Sequence, residues 1–221
     1  MVHEAIERGD RVIVEGAQGT LLDIDLGTYP FVTSSNSSAC GISAGIGIPP
    51  GLVDRSLGVL KAYSTRVGEG PFPTELAGEE GEALRRQGGE FGATTGRPRR
   101  CGWFDAVAAR FALRVNGVRE VALTKLDVLR GFDPIRIATS YEIEGRRVED
   151  LPTNLAAIDD VRPVYEELPG FDDDLSAARL PDDLPRNARR YVEALETMLG
   201  VDFFLISVGS ERDETIATAG S

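Results

Sequence analysis

Apolar residues recur at Phe104, Val107, Ala108, Phe111 and Val115, a spacing of i, i+3, i+4, i+7 and i+11 that predicts an amphipathic helix. Gly117 follows as the residue able to take a left-handed conformation and end it. After Pro185 the stripe repeats at Ala188, Tyr191, Val192, Leu195 and Leu199, with Gly200 as the stop. Two further helices are predicted over residues 52–63, with Val53, Leu57 and Leu60 on one face, and over 79–87, halted by Gly88-Gly89. Short apolar runs at 11–14, 120–123 and 201–206 predict buried strands. The stretches 135–143 and 147–148 predict a hairpin turning at Glu144-Gly145. Alternating strands and helices give an α/β fold, a mostly parallel sheet with flanking helices. Ligands of such sheets bind at the carboxyl ends of the strands, where Lys125, Asp127 and Ser207 to Gly209 fall.

Length and charge narrow the function classes. A chain of 221 residues builds one sizeable core or two small ones, and neither an internal repeat nor a linker divides it, so residues 1–221 are read as one unit. A net charge of −12 disfavours a nucleic-acid surface, which needs excess Lys and Arg, while leaving room for a small phosphorylated ligand held by local arginines. The acidic stretch 172–183 reads as a solvated surface connection. Cys40 and Cys101 have no metal-ligand spacing and read as free thiols of a reducing compartment. No run approaches a membrane span, and the amino terminus carries no basic or apolar leader; a cytoplasmic location is expected.

Three polar segments hold the candidate chemistry. Residues 15–36 form a glycine-punctuated loop rich in amide, hydroxyl and carboxylate groups. In it, Gln18 can both donate and accept along the edge of a base, and Thr33 has a hydroxyl suited to a phosphate oxygen; equally, both can satisfy loop backbone. Asp23 and Asp25 lack the companions a metal would need and read as organisers of the loop. Residues 93–99 place Thr94, Thr95, Gly96, Arg97 and Arg99 together. That set suits closure over a dicarboxylate, and as composition alone it also fits an exposed basic loop. Thr124-Lys125-Leu126-Asp127 ends a strand. Its aspartate can accept the paired donors of guanine N1–H and the exocyclic amine, which adenine does not offer, or can simply cap a turn.

These segments, with Lys61-Ala62-Tyr63-Ser64-Thr65-Arg66-Val67-Gly68 and Pro71-Phe72-Pro73-Thr74-Glu75-Leu76, resemble the carboxy-terminal half of adenylosuccinate synthetase, over essentially the whole chain. The resemblance implies a P-loop-NTPase-like synthetase fold lacking its amino-terminal part, and a GTP-dependent ligation of IMP and L-aspartate through 6-phosphoryl-IMP. It implies IMP binding by Gln18, Leu22, Thr33 and Arg97. For L-aspartate it implies Val67, Ala93, Thr94, Thr95, Gly96, Arg97, Pro98 and Arg99; for GTP, Arg99, Lys125, Leu126, Asp127, Ser207, Val208 and Gly209. It also implies a cytoplasmic homodimer with no nucleic-acid or membrane partner. Ser210 stands where the family usually has proline, and Leu26 where it has histidine or an aromatic residue. In that family a glycine-rich phosphate cradle, the catalytic aspartate and histidine and the Mg2+ ligands lie near the amino terminus. None has a counterpart here, so no catalytic or metal-binding residue is assigned. The alternative is a non-catalytic nucleotide-binding or interaction module derived from the enzyme.

Overall fold

The structure is a computed structural model that describes residues 1–92, 96–158 and 160–218. Its principal sheet has the order β1 (Leu57–Lys61), β5 (Glu120–Thr124), β9 (Asp202–Ser207), β10 (Thr215–Ala217). The first three strands run parallel, so Lys61, Thr124 and Ser207 end at one rim; β10 is antiparallel to β9. A two-stranded ribbon, β2 (Ser64–Arg66) against β3 (Arg100–Gly102), stands beside that rim. A second sheet combines β4 (Phe104–Asp105), β6 (Ile135–Ile143), β7 (Arg146–Val148) and β8 (Val161–Leu168), with β7 and β8 antiparallel to β6. The helices are α1 (Val2–Glu7), α2 (Ile42–Ile46), α3 (Gly78–Gln87), α4 (Ala106–Asn116) and α5 (Arg186–Leu199). The result is the α/β architecture the alternation predicted.

Helix α4 begins because the Asp105 side chain accepts the Ala108 amide, and it ends where Gly117 turns left-handed at φ 61°. Phe104 therefore belongs to a short strand rather than to the helix. In α5 the five predicted apolar positions are all buried, and the Tyr191 hydroxyl donates to the Ala62 carbonyl at 2.6 Å. That bond pins the helix to the end of β1. One hydrophobic cluster joins both helices to the sheet through Leu123, Leu126, Leu195 and Phe203, and to the region behind the ribbon through Tyr63, Leu84 and Trp103. At the β6–β7 hairpin, Glu144 and Gly145 both take positive φ, as a tight primed turn requires.

Two predicted elements are corrected. Residues 52–63 are not a helix: a single 3₁₀ turn at Pro50–Leu52 precedes β1. Leu57 and Val59 face outward while Gly58 and Leu60 face inward, so the apparent helical stripe at 53, 57 and 60 mixes opposite faces. Gly58 fits there because a side chain would press on Val118 and Val121. Residues 11–14 are not a buried strand either. They pair with nothing among the described residues, and Ile13 is 91% exposed. A strand needs neighbours for its backbone groups, whatever its composition.

The same segment leaves an apolar surface. Ile13, Leu57 and Val59 are exposed, and among the described residues β1 has a neighbour on one side only. An open parallel edge beside apolar side chains favours pairing with another chain. The purified chain is expected to self-associate despite its charge of −12. Sedimentation velocity checks this, and a single monomeric species with one cooperative melt would contradict it.

Candidate functional site

The turn after β5 carries the guanine-reading assignment. Lys125 adopts a left-handed backbone, φ 61° and ψ 35°, and a 3₁₀ turn follows over Leu126–Leu129. This reversal buries Leu126 in the core and leaves Asp127 half-buried at the rim. Asp127 lines a cavity of about 300 Å³ together with Arg130, Leu175, Ser176, Val208, Gly209 and Glu214. Burial raises its carboxyl above the usual carboxylate range. Next to Val208 and Gly209 in this lining, the Ser207 hydroxyl donates to the Gly209 carbonyl at 2.9 Å, and the Val208 amide to the Glu214 carbonyl at 2.9 Å. A side chain at Gly209 would meet the tip of the Glu214 side chain, which would have to move aside. Two of the predicted segments, 125–127 and 207–209, thus meet around one cavity. Leu126 faces the core and has only backbone to offer there.

The Lys125 side chain does not lie along the cavity. It donates to the Gly88 carbonyl at 2.6 Å and to Glu90 Oε1 at 2.9 Å. Glu90 is fully buried and also accepts from Lys61 at 2.8 Å, Tyr63 at 2.5 Å and Arg99 at 2.7 Å. Burial alone would raise this carboxyl, but the hydrogen bonds from Lys61, Tyr63, Lys125 and Arg99 hold it down at about 2. Lys61 in turn is lowered by burial against the pull of Glu90. Tyr63 is raised, first by burial and then by its bond to Glu90.

A folded carboxyl at about 2 against an ordinary value of 4.5 stabilises the fold above pH 4.5, by on the order of 3 kcal/mol. That contribution disappears as pH falls through the folded value. The stability difference between the wild type and Glu90→Gln is expected to hold steady above about pH 5, short of the alkaline range where Lys61 titrates differently in the two proteins, and to shrink towards pH 2. Urea unfolding midpoints across that range provide the check. Asp23 titrates in the same window, but it is common to both proteins and drops out of the difference.

The loop after Glu90 returns on itself. The Gly92 amide donates to the Arg97 carbonyl at 2.9 Å, and the Arg99 amide to the Glu90 carbonyl at 2.9 Å. Gly96 takes φ 63°, and Gly96, Arg97 and Pro98 are exposed. Ala93, Thr94 and Thr95 lie outside the described residues. Arg66 pairs with Arg100 in the ribbon, so Val67 and Arg99 leave it at the same end. Val67 is 49% exposed there.

The first polar loop is ordered from within. Asp23 Oδ1 accepts the amides of Asp25 at 3.0 Å and Leu26 at 3.1 Å, and Oδ2 accepts the Ser38 amide at 2.9 Å. Asn36 donates to Asp25 at 2.7 Å. The burial of Asp23 works to raise its carboxyl, yet these donors hold it at about 2. Asp23 and Asp25 are therefore loop organisers, as read from the sequence. The Thr33 amide donates to the Leu22 carbonyl at 2.7 Å, bringing two predicted residues together, while Gln18 stands exposed at φ 64°. Buried Arg66 joins this loop to the ribbon, donating to Thr28 at 3.0 Å and to the Phe31 carbonyl at 2.9 Å. Through Arg66 the loop, Val67 and Arg99 become neighbours.

Sequence reasoning missed Glu90, Lys61 and Arg66. For Glu90 a signal existed: it is the only acid between Arg85 and Arg100. Arg66 and Lys61 carried none beyond their place in a polar run. Cys40 is exposed and Cys101 buried, both as free thiols. Among the described residues no three His, Cys, Asp or Glu side chains are grouped to hold a metal, and no helix is long and apolar enough to cross a membrane.

A parallel sheet whose carboxyl rim carries the turn at Asp127 and the lining at Val208 and Gly209 defines a mixed α/β protein with its candidate site at that rim. Residues 1–216 match the family model described as adenylosuccinate synthetase, and the chain belongs to the adenylosuccinate synthetase family. It is 57% identical over 216 residues to adenylosuccinate synthetase of Moorella thermoacetica, covering 98% of this chain and 51% of that protein. The protein of the same name from Acidothermus cellulolyticus is 57% identical over 217 residues, again covering 98% and 51%. The solved structure of fully ligated adenylosuccinate synthetase from Plasmodium falciparum superposes with a TM-score of 0.94 at 38% identity, over 99% of this chain and 52% of that one. The chain spans about half the length of the curated relatives it matches.

Proposed function

We propose that this chain is the substrate-reading, carboxy-terminal portion of an adenylosuccinate synthetase, serving the GTP-dependent ligation of IMP and L-aspartate to adenylosuccinate. The observation that carries the reading is the meeting of Asp127 with Val208 and Gly209 around one cavity at the sheet rim. In this reading the Asp127 carboxylate accepts guanine N1–H and the exocyclic amine, and Ser207 to Gly209 close the other side of the base. Gln18, Leu22 and Thr33 hold IMP, with Arg97 reaching its ribose. Val67 and residues 93–99, Arg97 and Arg99 among them, receive the carboxylates of L-aspartate, where guanidinium forks suit planar anions. Arg99 also faces GTP. The same reading carries a cytoplasmic homodimer. Among the described residues no three His, Cys, Asp or Glu side chains are grouped as ligands for magnesium.

A second reading is a non-catalytic nucleotide-binding module, which would use the same cavity at Asp127, Val208 and Gly209. Both readings require guanine selectivity. Competition between GDP and ADP for the chain tests it, with GDP expected to bind at least about tenfold more tightly because adenine lacks the paired donors. Equal binding would remove the guanine-reading assignment from both.

A further inference from the structure

Glu90 collects donors from separate parts of the chain on one buried carboxylate. Oε1 accepts from Lys61 at the end of β1, from Tyr63 and from Lys125 in the turn after β5. Oε2 accepts from Arg99, whose own amide donates to the Glu90 carbonyl. Both oxygens belong to a single planar group, so a displacement of Lys125 on one side is passed to Arg99 on the other. Water does not intervene, because the side chain is 0% exposed and a lost donor has no replacement. The space around the carboxylate is equally determined: a side chain at Gly88 would overlap the Tyr63 hydroxyl. Lys61, Lys125 and Arg99 bring an excess of positive charge to this one acid, which favours an anionic ligand nearby.

We propose that Glu90 is a positioning residue that couples the turn carrying Lys125 and Asp127 to Arg99, so that guanine nucleotide in the turn orders residues 96–100. The proposal rests on the reading of Asp127 as the guanine acceptor. It gives Glu90 a role that neither the cavity nor the loop alone requires. Lys61 shares the carboxylate but belongs to neither segment, which makes it the natural control.

Hydrogen exchange followed by mass spectrometry on the 221-residue chain, with and without GDP, tests the coupling. In the wild type, GDP is expected to slow exchange in peptides spanning 122–130 and also 96–100, the latter by about fivefold, the low end of ordinary coupling between sites. In Glu90→Gln the turn should still respond and the loop should not. Should Gln disturb the fold, Glu90→Asp carries the test, since it keeps the charge and shortens the reach by one methylene. Lys61→Met leaves the bridge from Lys125 to Arg99 in place and should retain the loop response. A loop response in Glu90→Gln equal to that of the wild type would overturn the coupling, as would a loss in Lys61→Met as complete as in Glu90→Gln. A wild-type turn that responds while its loop does not would overturn the coupling alone. No response at either segment would overturn the guanine assignment and the coupling with it.

Discussion

Incubated with IMP, GTP, L-aspartate and magnesium, the 221-residue chain alone is expected to form no adenylosuccinate above background. Phosphoryl transfer depends on fixed positive groups around the developing charge, and removal of such groups costs about 10³–10⁵ in rate. These residues hold no glycine-rich cradle, and His3, the only histidine, is exposed near the amino terminus. Lys61, Lys125 and Arg99 cluster on Glu90, next to the turn that carries Asp127. Adding the amino-terminal half of a relative is expected to restore turnover, because the open β1 edge and the exposed Ile13, Leu57 and Val59 offer it a surface. A spectrophotometric assay decides the matter: turnover by the chain alone would show that the reactive centre lies within it.

Asp127→Asn is expected to weaken guanine nucleotide binding by about 2–3 kcal/mol, or roughly 30- to 150-fold. The amide replaces one acceptor with a donor, which then faces a donor on the base. Xanthine nucleotides carry an oxygen at that position and should gain affinity in the same variant. Protonation of the wild-type carboxyl removes an acceptor as well. Because burial raises the Asp127 carboxyl, wild-type affinity should fall at a higher pH than an ordinary aspartate would dictate. Titrations with the chain assembled with a relative's amino-terminal half provide the measurement. Unchanged GTP affinity together with continued exclusion of xanthine nucleotides would reduce residues 124–127 to a capped turn.

The parts of the fold legible in the sequence are those whose apolar pattern is decided locally. Helix α5 has a complete buried stripe with a glycine stop. In α4 the helix and its glycine stop were legible, but burial falls on Ala106, Val107, Ala109 and Leu113 while the predicted Ala108, Phe111 and Val115 are half-buried. β5 and β9 are short apolar runs flanked by helices. Misreading occurred where tertiary context overrides pattern. β1 is a strand because a parallel neighbour runs from Glu120, and residues 11–14 are not one because no neighbour pairs with them among the described residues. β8 escaped notice because Glu166 and Glu167 interrupt its apolar character, while its place is set by pairing along β6. The site divided in the same way. Asp127 and Ser207 to Gly209 were visible because strand ends are visible. The hub at Glu90 was not, since four separated donors meet there only once the chain is folded. Resemblance supplied the assignments of Gln18, Val67 and Arg97, whose side chains no local pattern singles out.

The loop running from Asp23 to Ser38 has the character of a cassette. Its closing bond spans 15 residues, and the acid that makes it also fixes the two amides nearest its own start. Most of its order is internal, and the ribbon grips it chiefly through Arg66, at Thr28 and Phe31. A segment of this kind can change scaffold with few junctions to match, and can melt or persist without the sheet. In an evolving family, such a segment can then drift in sequence or be exchanged while the sheet rim at Lys125 and Asp127 keeps its shape.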